Sequence, residues 1–266
     1  MYIPELTKET ILDLYIKLIE KAKNEFCKPS EFLVKFKYQK EIVTLNLMNF
    51  CLVNTNQIRP RYLWVILHEI FDEYILKEYY KDYREYSSFS FFLKKHSIDR
   101  FKKSDKPDFY IQFNNTIYDL EVTSVSLEND MILDKIGLTL FGQSKTELEC
   151  RNYVLKKHKK LDWNKYYRNY NGINIISRPI QNCNDYFQLI VNSIIKKNSK
   201  VIKFDDNNKK WLLLDTESNI CFSTTHDIDK LQLKLSEIKN EIENIDSIFL
   251  INRQKNMFFK YNKKET

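Results

Sequence analysis

The sequence predicts an α/β fold in which a mixed β-sheet is flanked by helices. Apolar residues recur at helical spacing between residues 7 and 25. Residues 107–125 alternate like strands and are interrupted at Asn114-Asn115, which is typical of two antiparallel strands joined by a tight turn. An apolar strand at 211–214, a helix and a strand at 247–251 follow, and a crossover of this length indicates parallel pairing. Antiparallel and parallel pairs together predict the mixed sheet.

The predicted helices each carry one apolar stripe. In the first it consists of Ile11, Leu14, Tyr15, Leu18, Ile19 and Ala22. A second helix, over residues 61–83, has a stripe made of Leu63, Ile66, Leu67, Ile70, Phe71 and Tyr74. A third is marked by Phe187, Ile190, Val191, Ile194 and Ile195, and the last by Ile228, Leu231, Leu235, Ile238, Ile242 and Ile245. Residues 32–52 alternate unevenly and predict two short strands.

This pattern suggests one core with additions. Residues 1–60 form an N-terminal helical extension, residues 61–251 form the core, and residues 252–266 form a C-terminal tail. The core contains a long insertion at residues 126–184, which we predict to be helical. A chain of 266 residues is long enough to bury such a core.

Composition narrows the classes of function. The formal net charge of +7 suits a partner rich in phosphate, such as nucleic acid. With only three glycines, the chain has neither a Gly-rich dinucleotide loop nor a phosphate-cradling Gly-x-x-x-x-Gly-Lys loop. Nucleotide-cofactor chemistry of those two kinds is therefore excluded.

Hydropathy and cysteine use predict a cytoplasmic protein without a membrane partner. The sequence has no run of 18 apolar residues, and charges occur throughout residues 1–17. The five cysteines are an odd number, are widely scattered and include no Cys-x-x-Cys pair. We therefore expect reduced thiols in place of a disulfide framework or a structural zinc site.

Two carboxylates face each other in the predicted hairpin. If Asn114-Asn115 is a two-residue turn, Phe113 lies opposite Thr116, and the same register sets Asp108 opposite Glu121. Opposed side chains on adjacent strands lie roughly 5 Å apart at Cβ, where like charges repel. A divalent cation removes that cost, and hard oxygen ligands suit Mg²⁺ or Mn²⁺. The register therefore predicts a metal site.

The same residues resemble a known nuclease superfamily. Pro107-Asp108, followed after the hairpin by Glu121-Val122-Thr123, is similar to the motif of the PD-(D/E)XK nucleases. The resemblance covers residues 61–251 and implies a restriction-endonuclease-like fold. It also implies that Asp108 and Glu121 hold the metal, with the Val122 carbonyl assisting, and that the activity is phosphodiester hydrolysis. DNA is the expected substrate, and restriction or defence against mobile DNA is the role that the resemblance implies.

Thr123 departs from the motif because the family's lysine, which positions or activates water, usually stands there. Threonine cannot supply a positive charge. Some family members take this lysine from the next helix, where Gln188, Asn192 and Lys196 lie on one polar face. Lys196 and its neighbour Lys197 are therefore the candidates for a catalytic role beside Thr123.

Two further acids stand on the second predicted helix. Glu69 and Glu73 are four residues apart at the margin of its apolar stripe. They are candidates for a third metal ligand, but charged residues at this position more often form a solvated helix margin. Asp119, on the same strand face as Glu121, is placed at the edge of the site.

The centre of the insertion is basic and aromatic. Its candidate nucleic-acid-binding residues are Lys156, Lys157, Lys159, Lys160, Lys165 and Arg168. Tyrosine and tryptophan residues are interleaved with them, so the segment has groups for both phosphates and bases. A solvated basic helix is the competing interpretation.

The sequence therefore predicts a nuclease that uses Mg²⁺ or Mn²⁺ on nucleic acid. The alternative is a protein that keeps the fold and binds nucleic acid or regulates a partner without catalysis, which the missing motif lysine favours. A third hypothesis, a basic scaffold protein without a site, requires the Asp108 and Glu121 side chains to diverge. A homodimer and an accessory subunit both stay open as further partners.

Overall fold

The computed structural model describes most of the chain outside residues 54–66 and the greater part of the insertion. The described residues are 2–3, 7–38, 41–53, 67, 69–70, 75, 78–125, 148, 151–152, 156, 167–170, 173–176, 183–201, 207–216, 225–253 and 256–263. The α-helices with described bounds are α1 (Lys8–Asn24), α2 (Tyr80–Lys95), α3 (Cys183–Val201) and α4 (Thr225–Glu237), and a short 3-10 helix spans Pro29–Phe32. None of these helices is both long and apolar enough to cross a membrane.

The strands are numbered in chain order. They are β1 (Tyr2–Ile3), β2 (Leu33–Tyr38), β3 (Glu41–Asn46), β4 (Cys51–Val53), β5 (Arg100–Lys103), β6 (Phe109–Phe113), β7 (Thr116–Ser124), β8 (Tyr167–Tyr170), β9 (Ile173–Ile176), β10 (Lys209–Asp215), β11 (Ser247–Asn252) and β12 (Met257–Asn262).

The main sheet has the strand order β12-β11-β10-β7-β6-β5. Strands β5, β6 and β7 are antiparallel, whereas β7, β10 and β11 run parallel to one another. β12 returns antiparallel to β11. The predicted mixed sheet flanked by helices is therefore confirmed, and so is the parallel strand-helix-strand unit.

The hairpin between β6 and β7 has the predicted register. Phe113 pairs with Thr116, and Phe109 pairs with Leu120. Asn114 and Asn115 have φ angles of 48° and 59°, the left-handed conformation that both central residues of a type I′ turn require. Asparagine tolerates this conformation better than most residues do, which is why the turn forms here.

The two faces of the main sheet bury different side chains. One face is aromatic: Phe92 of α2 packs with Phe101, Phe109 and Phe249 of the sheet in one cluster. The other face is aliphatic and lies under α3 and α4, where Ile190, Leu212, Leu214, Leu235 and Ile248 are buried together. Since strand side chains alternate, neighbouring residues such as Leu120 and Glu121 point to opposite faces.

The N-terminal part packs against the aromatic face. Helix α1 begins after Thr7, whose side chain accepts a hydrogen bond of 3.1 Å from the Thr10 amide, so the predicted first helix is confirmed. Two strands were predicted in residues 32–52, and this segment contains β2, β3 and the start of β4. Together with β1 they form a four-stranded sheet. The N-terminal residues share one core with the main sheet, because Tyr15 and Phe36 belong to the same cluster as Phe109.

Three segments differ from the sequence prediction. Helix α2 occupies residues 80–95 and so continues past the end of the helix expected at 61–83, in which residues 67 and 69–70 are helical and most others lie outside the described residues. Helix α4 ends at Glu237, earlier than predicted. Ile242 and Ile245 follow it in the chain and are buried, so the apolar spacing extends beyond the end of the helix. Residues 257–262, assigned to a tail, form edge strand β12.

The insertion is described only in part. Strands β8 and β9 form a two-stranded antiparallel hairpin within it, where the sequence predicted helical structure. Residues 148, 151–152 and 156 are helical. The helical prediction for the rest of the insertion falls outside the described residues.

The turn makes the hairpin register testable. Asn115→Gly should keep or raise the free energy of unfolding, because glycine adopts positive φ without steric cost. Asn115→Val should lower it by about 1–2 kcal/mol, because a β-branched residue is strained there. Urea denaturation measures both, with Thr116→Val on the adjacent strand as the control. An Asn115→Val protein as stable as the parent would contradict the turn geometry.

Candidate metal centre

Asp108 lies at the start of the hairpin, immediately before β6. Its side chain is buried, and its Oδ2 accepts a hydrogen bond of 2.7 Å from the Val122 amide. A strand residue directs its N–H and C=O to the same edge. The Val122 carbonyl is therefore directed to the edge on which Asp108 lies, as its assignment as an assisting ligand requires.

Glu121 extends from the opposite strand toward α3. It follows Leu120, the partner of Phe109, and its carboxylate forms an ion pair with the Lys197 ammonium through Oε1. Lys197 is on α3, so the next described helix after the hairpin contributes a positive charge directly to Glu121.

The two carboxylates influence each other. Burial, and then the negative charges of Glu121 and Glu85, raise the pKa of Asp108 to about 7 from its usual 3.8. The Val122 amide and the Lys103 charge oppose this rise without cancelling it. Asp108 therefore accepts a proton far more readily than an ordinary aspartate, and a bound cation would stabilise its ionised form.

Glu85 is the acid of the preceding helix that lies at this site, and it was missed in the sequence. It extends from α2 and forms an ion pair with Lys103, with Glu85 Oε2 2.7 Å from Lys103 Nζ. The signal that identifies its helix is the aromatic spacing of Tyr86, Phe89 and Phe92, all buried against the sheet. Glu85 lies beside this aromatic stripe. From the sequence, Glu69 was instead proposed, at the margin of the helix predicted over residues 61–83.

The remaining predicted site residues have different positions. Thr123 is half-buried on β7 and shares a strand face with Glu121. Lys196 is exposed, unlike Lys197. Glu69 is half-exposed and lies 3.9 Å from Lys8 of α1, and Glu73 falls outside the described residues. Asp119 is buried, and its Oδ1 accepts a hydrogen bond of 2.8 Å from Asn208.

The basic residues of the insertion are described at two positions. Lys156 is exposed, as expected for a residue that binds phosphate and equally for a solvated one. Arg168 is on β8. Lys157, Lys159, Lys160 and Lys165 lie outside the described residues.

A second polar cluster lies where β10 ends, and it was also absent from the sequence prediction. The Asp215 carboxylate is buried, accepts a hydrogen bond of 2.5 Å from Ser88 and lies 3.1 Å from the Arg253 guanidinium. Ser88 is three residues after Glu85 on α2. The cluster therefore fastens the helix that carries Glu85 to the main sheet.

The donor set fits a hard divalent cation. Two carboxylates and one backbone carbonyl would supply oxygen ligands, and Mg²⁺ commonly uses one or two carboxylates and completes its octahedron with water. Burial and the neighbouring charges of Glu121 and Glu85 raise the pKa of Asp108, and a cation would favour its ionised form. Within the described residues no group of three or more His, Cys, Asp or Glu side chains forms a ligand set.

Comparison with protein-family models, with curated proteins and with solved structures gives no match to this chain. The candidate site is therefore interpreted from the chain's own residues and their geometry.

The raised pKa of Asp108 predicts a pH-dependent stability. Between pH of about 4 and 7 the folded state binds the Asp108 proton more tightly than the unfolded chain does. The free energy of unfolding of the metal-free protein should therefore fall as pH rises through this window. Asp108→Asn should remove this loss, so its effect on the free energy of unfolding should be more favourable at pH 8 than at pH 4 by roughly 4 kcal/mol.

Urea denaturation at several pH values in the presence of EDTA measures the difference. Asp105→Asn is the control, because Asp105 is an exposed carboxylate in the same loop. Parallel pH profiles for the parent and Asp108→Asn would show that burial does not perturb Asp108.

Proposed function

We propose that this protein is a metal-dependent nuclease that hydrolyses phosphodiester bonds through Asp108 and Glu121. The observation that carries the proposal is the contact between Lys197 and Glu121 beside the buried Asp108. Two carboxylates and a lysine are the groups that the PD-(D/E)XK motif brings together. Here the lysine comes from α3, and Thr123 stands at the motif position.

Each group has a chemical role in this proposal. Mg²⁺ or Mn²⁺, when bound, lowers the pKa of a coordinated water and offsets charge on the phosphoryl oxygens. Asp108 and Glu121 hold the ion, with the Val122 carbonyl directed to the same place. Lys197 orients the Glu121 carboxylate through their ion pair, and its positive charge favours the approach of an anionic phosphodiester.

The substrate class follows from charge and from the motif. A net charge of +7 and the basic insertion suit a polyanion, and DNA is the substrate that the resemblance implies. We propose restriction or defence against mobile DNA as the biological role on the same resemblance.

A second candidate function is a nuclease-like protein that binds nucleic acid or regulates a partner without catalysis. The observation that favours it is that Glu121 already has Lys197 as a counter-charge, while Asp108 readily takes a proton. Such a site is close to electrically balanced without a metal. The scaffold hypothesis is less well supported, because after burial the charge of Glu121 is the largest contribution that raises the pKa of Asp108, so the two carboxylates interact.

Cleavage assays separate these functions. Purified protein should cut plasmid, linear or single-stranded DNA with Mg²⁺ or Mn²⁺ and should not cut it with EDTA. Asp108→Asn and Glu121→Gln should abolish cleavage. Lys197→Met should lower the rate by about 100-fold, within the range for loss of a positioned catalytic group.

The matched control is Lys196→Met, because Lys196 is the adjacent lysine on α3 and is exposed. This variant should cut at close to the parent rate. Absence of cutting in every substrate and metal combination would favour the binding protein. An undiminished rate for Lys197→Met would remove α3 from the mechanism.

The insertion is tested by its salt dependence. Replacing Lys156, Lys157, Lys159 and Lys160 with glutamine should weaken binding to all DNA sequences alike. The slope of log affinity against log salt concentration should decrease by about 0.9 for each lost phosphate contact. Fluorescence anisotropy measures both, and the control replaces the exposed lysines Lys35, Lys37, Lys94 and Lys95. An unchanged slope would make the insertion an ordinary solvated surface.

A further inference from the structure

Two of the three acids around the candidate metal centre are each engaged by a lysine. Glu121 contacts Lys197 of α3, and Glu85 contacts Lys103 of β5. The two lysines differ in exposure. The Lys197 side chain is 18% exposed, whereas that of Lys103 is 2% exposed.

The Lys103 ammonium is surrounded by oxygen atoms. Its Nζ lies 2.7 Å from Glu85 Oε2, 2.8 Å from the Ser104 carbonyl and 3.1 Å from the Asp108 carbonyl. Its fourth neighbour is the ring of Phe109, whose centroid is 4.9 Å away. The two carbonyls accept hydrogen bonds from the ammonium, and the Glu85 carboxylate adds an opposite charge at close range.

These oxygens are also suitable ligands for a divalent cation. One carboxylate and two backbone carbonyls form a hard oxygen set of the kind that binds Mg²⁺ or Mn²⁺. The set lies beside the proposed ion, since one of its carbonyls belongs to Asp108 itself. The Lys103 ammonium therefore occupies an oxygen-lined position that could otherwise bind a second metal ion.

We propose that Lys103 acts as a built-in cation that restricts this centre to one divalent ion and keeps Glu85 out of the ligand set. The inference rests on the proposed metal site at Asp108 and Glu121. Lys103 is then a positioning residue, because it acts on the centre through Glu85 and through the loop that carries Asp108.

Lys81 shows why the position of the charge matters. Its Nζ lies 3.7 Å from Glu85 Oε1, one helical turn away on α2, but its side chain is 73% exposed. Water and salt screen an exposed pair strongly and a buried pair weakly. Lys81 and Lys103 therefore form a matched pair of lysines on one carboxylate, of which only the buried one holds Glu85 in place.

The number of bound ions tests the proposal directly. The full chain is equilibrated with Mn²⁺, and bound manganese per chain is measured by equilibrium dialysis and electron paramagnetic resonance. We expect one ion for the parent, for Glu85→Gln and for Lys81→Met. Lys103→Met should bind two ions, because Glu85 and the two carbonyls become available, and adding Glu85→Gln to Lys103→Met should restore one.

A thermal melt gives a second readout that does not depend on catalysis. Mn²⁺ should raise the melting temperature of Lys103→Met more than that of the parent, because an additional ion binds only the folded state. Lys81→Met should respond as the parent does. An equal rise for Lys103→Met and the parent would overturn the proposal.

The parent and Glu85→Gln decide the matter even if Lys103→Met does not fold. Two ions on the parent that fall to one in Glu85→Gln would show that Glu85 is a ligand and would overturn the role of Lys103 alone. A parent that binds no Mn²⁺ would instead overturn the metal site at Asp108 and Glu121, and this inference with it.

Discussion

The register of the β6-β7 hairpin is the constraint on which the candidate site depends. Asn114 and Asn115 close a two-residue turn, and this turn sets Phe109 opposite Leu120. Because successive strand side chains alternate, a slip of one residue would exchange the faces of Leu120 and Glu121. The carboxylate would then lie in the aromatic cluster under α2, where it could not reach Lys197.

Charge compensation is the second constraint, since acids are brought together in a partly buried place. Lys103 balances Glu85, Lys197 balances Glu121, and Asp108 accommodates its own burial through a raised pKa. In the proposed function a divalent ion replaces the proton on Asp108, so that metal binding and proton release are coupled. The two ion pairs and the proton on Asp108 also explain how the folded protein accommodates these acids without a metal ion.

The balancing lysines come from different layers of the fold. Lys103 lies over the ring of Phe109, which belongs to the aromatic cluster under α2. Lys197 comes from α3, which covers the aliphatic face of the same sheet. The centre therefore joins both layers at one end of the hairpin. Its geometry depends on how α2 and α3 pack, and the aromatic and aliphatic cores determine that packing.

The sequence by itself determined the hairpin, the first helix and the parallel strand-helix-strand unit, because each follows from local periodicity and turn chemistry. The predicted register also paired Asp108 with Glu121, whose charge contributes to the raised pKa of Asp108. Only the tertiary structure separated Lys197 from Lys196, because adjacent helix residues point about 100° apart and the packing of α3 decides which one faces the sheet. The tertiary structure likewise showed that Glu85, and not Glu69, is the helix carboxylate near the site and that Lys103 is its partner. Ion pairs between distant segments leave no periodic signal in the sequence.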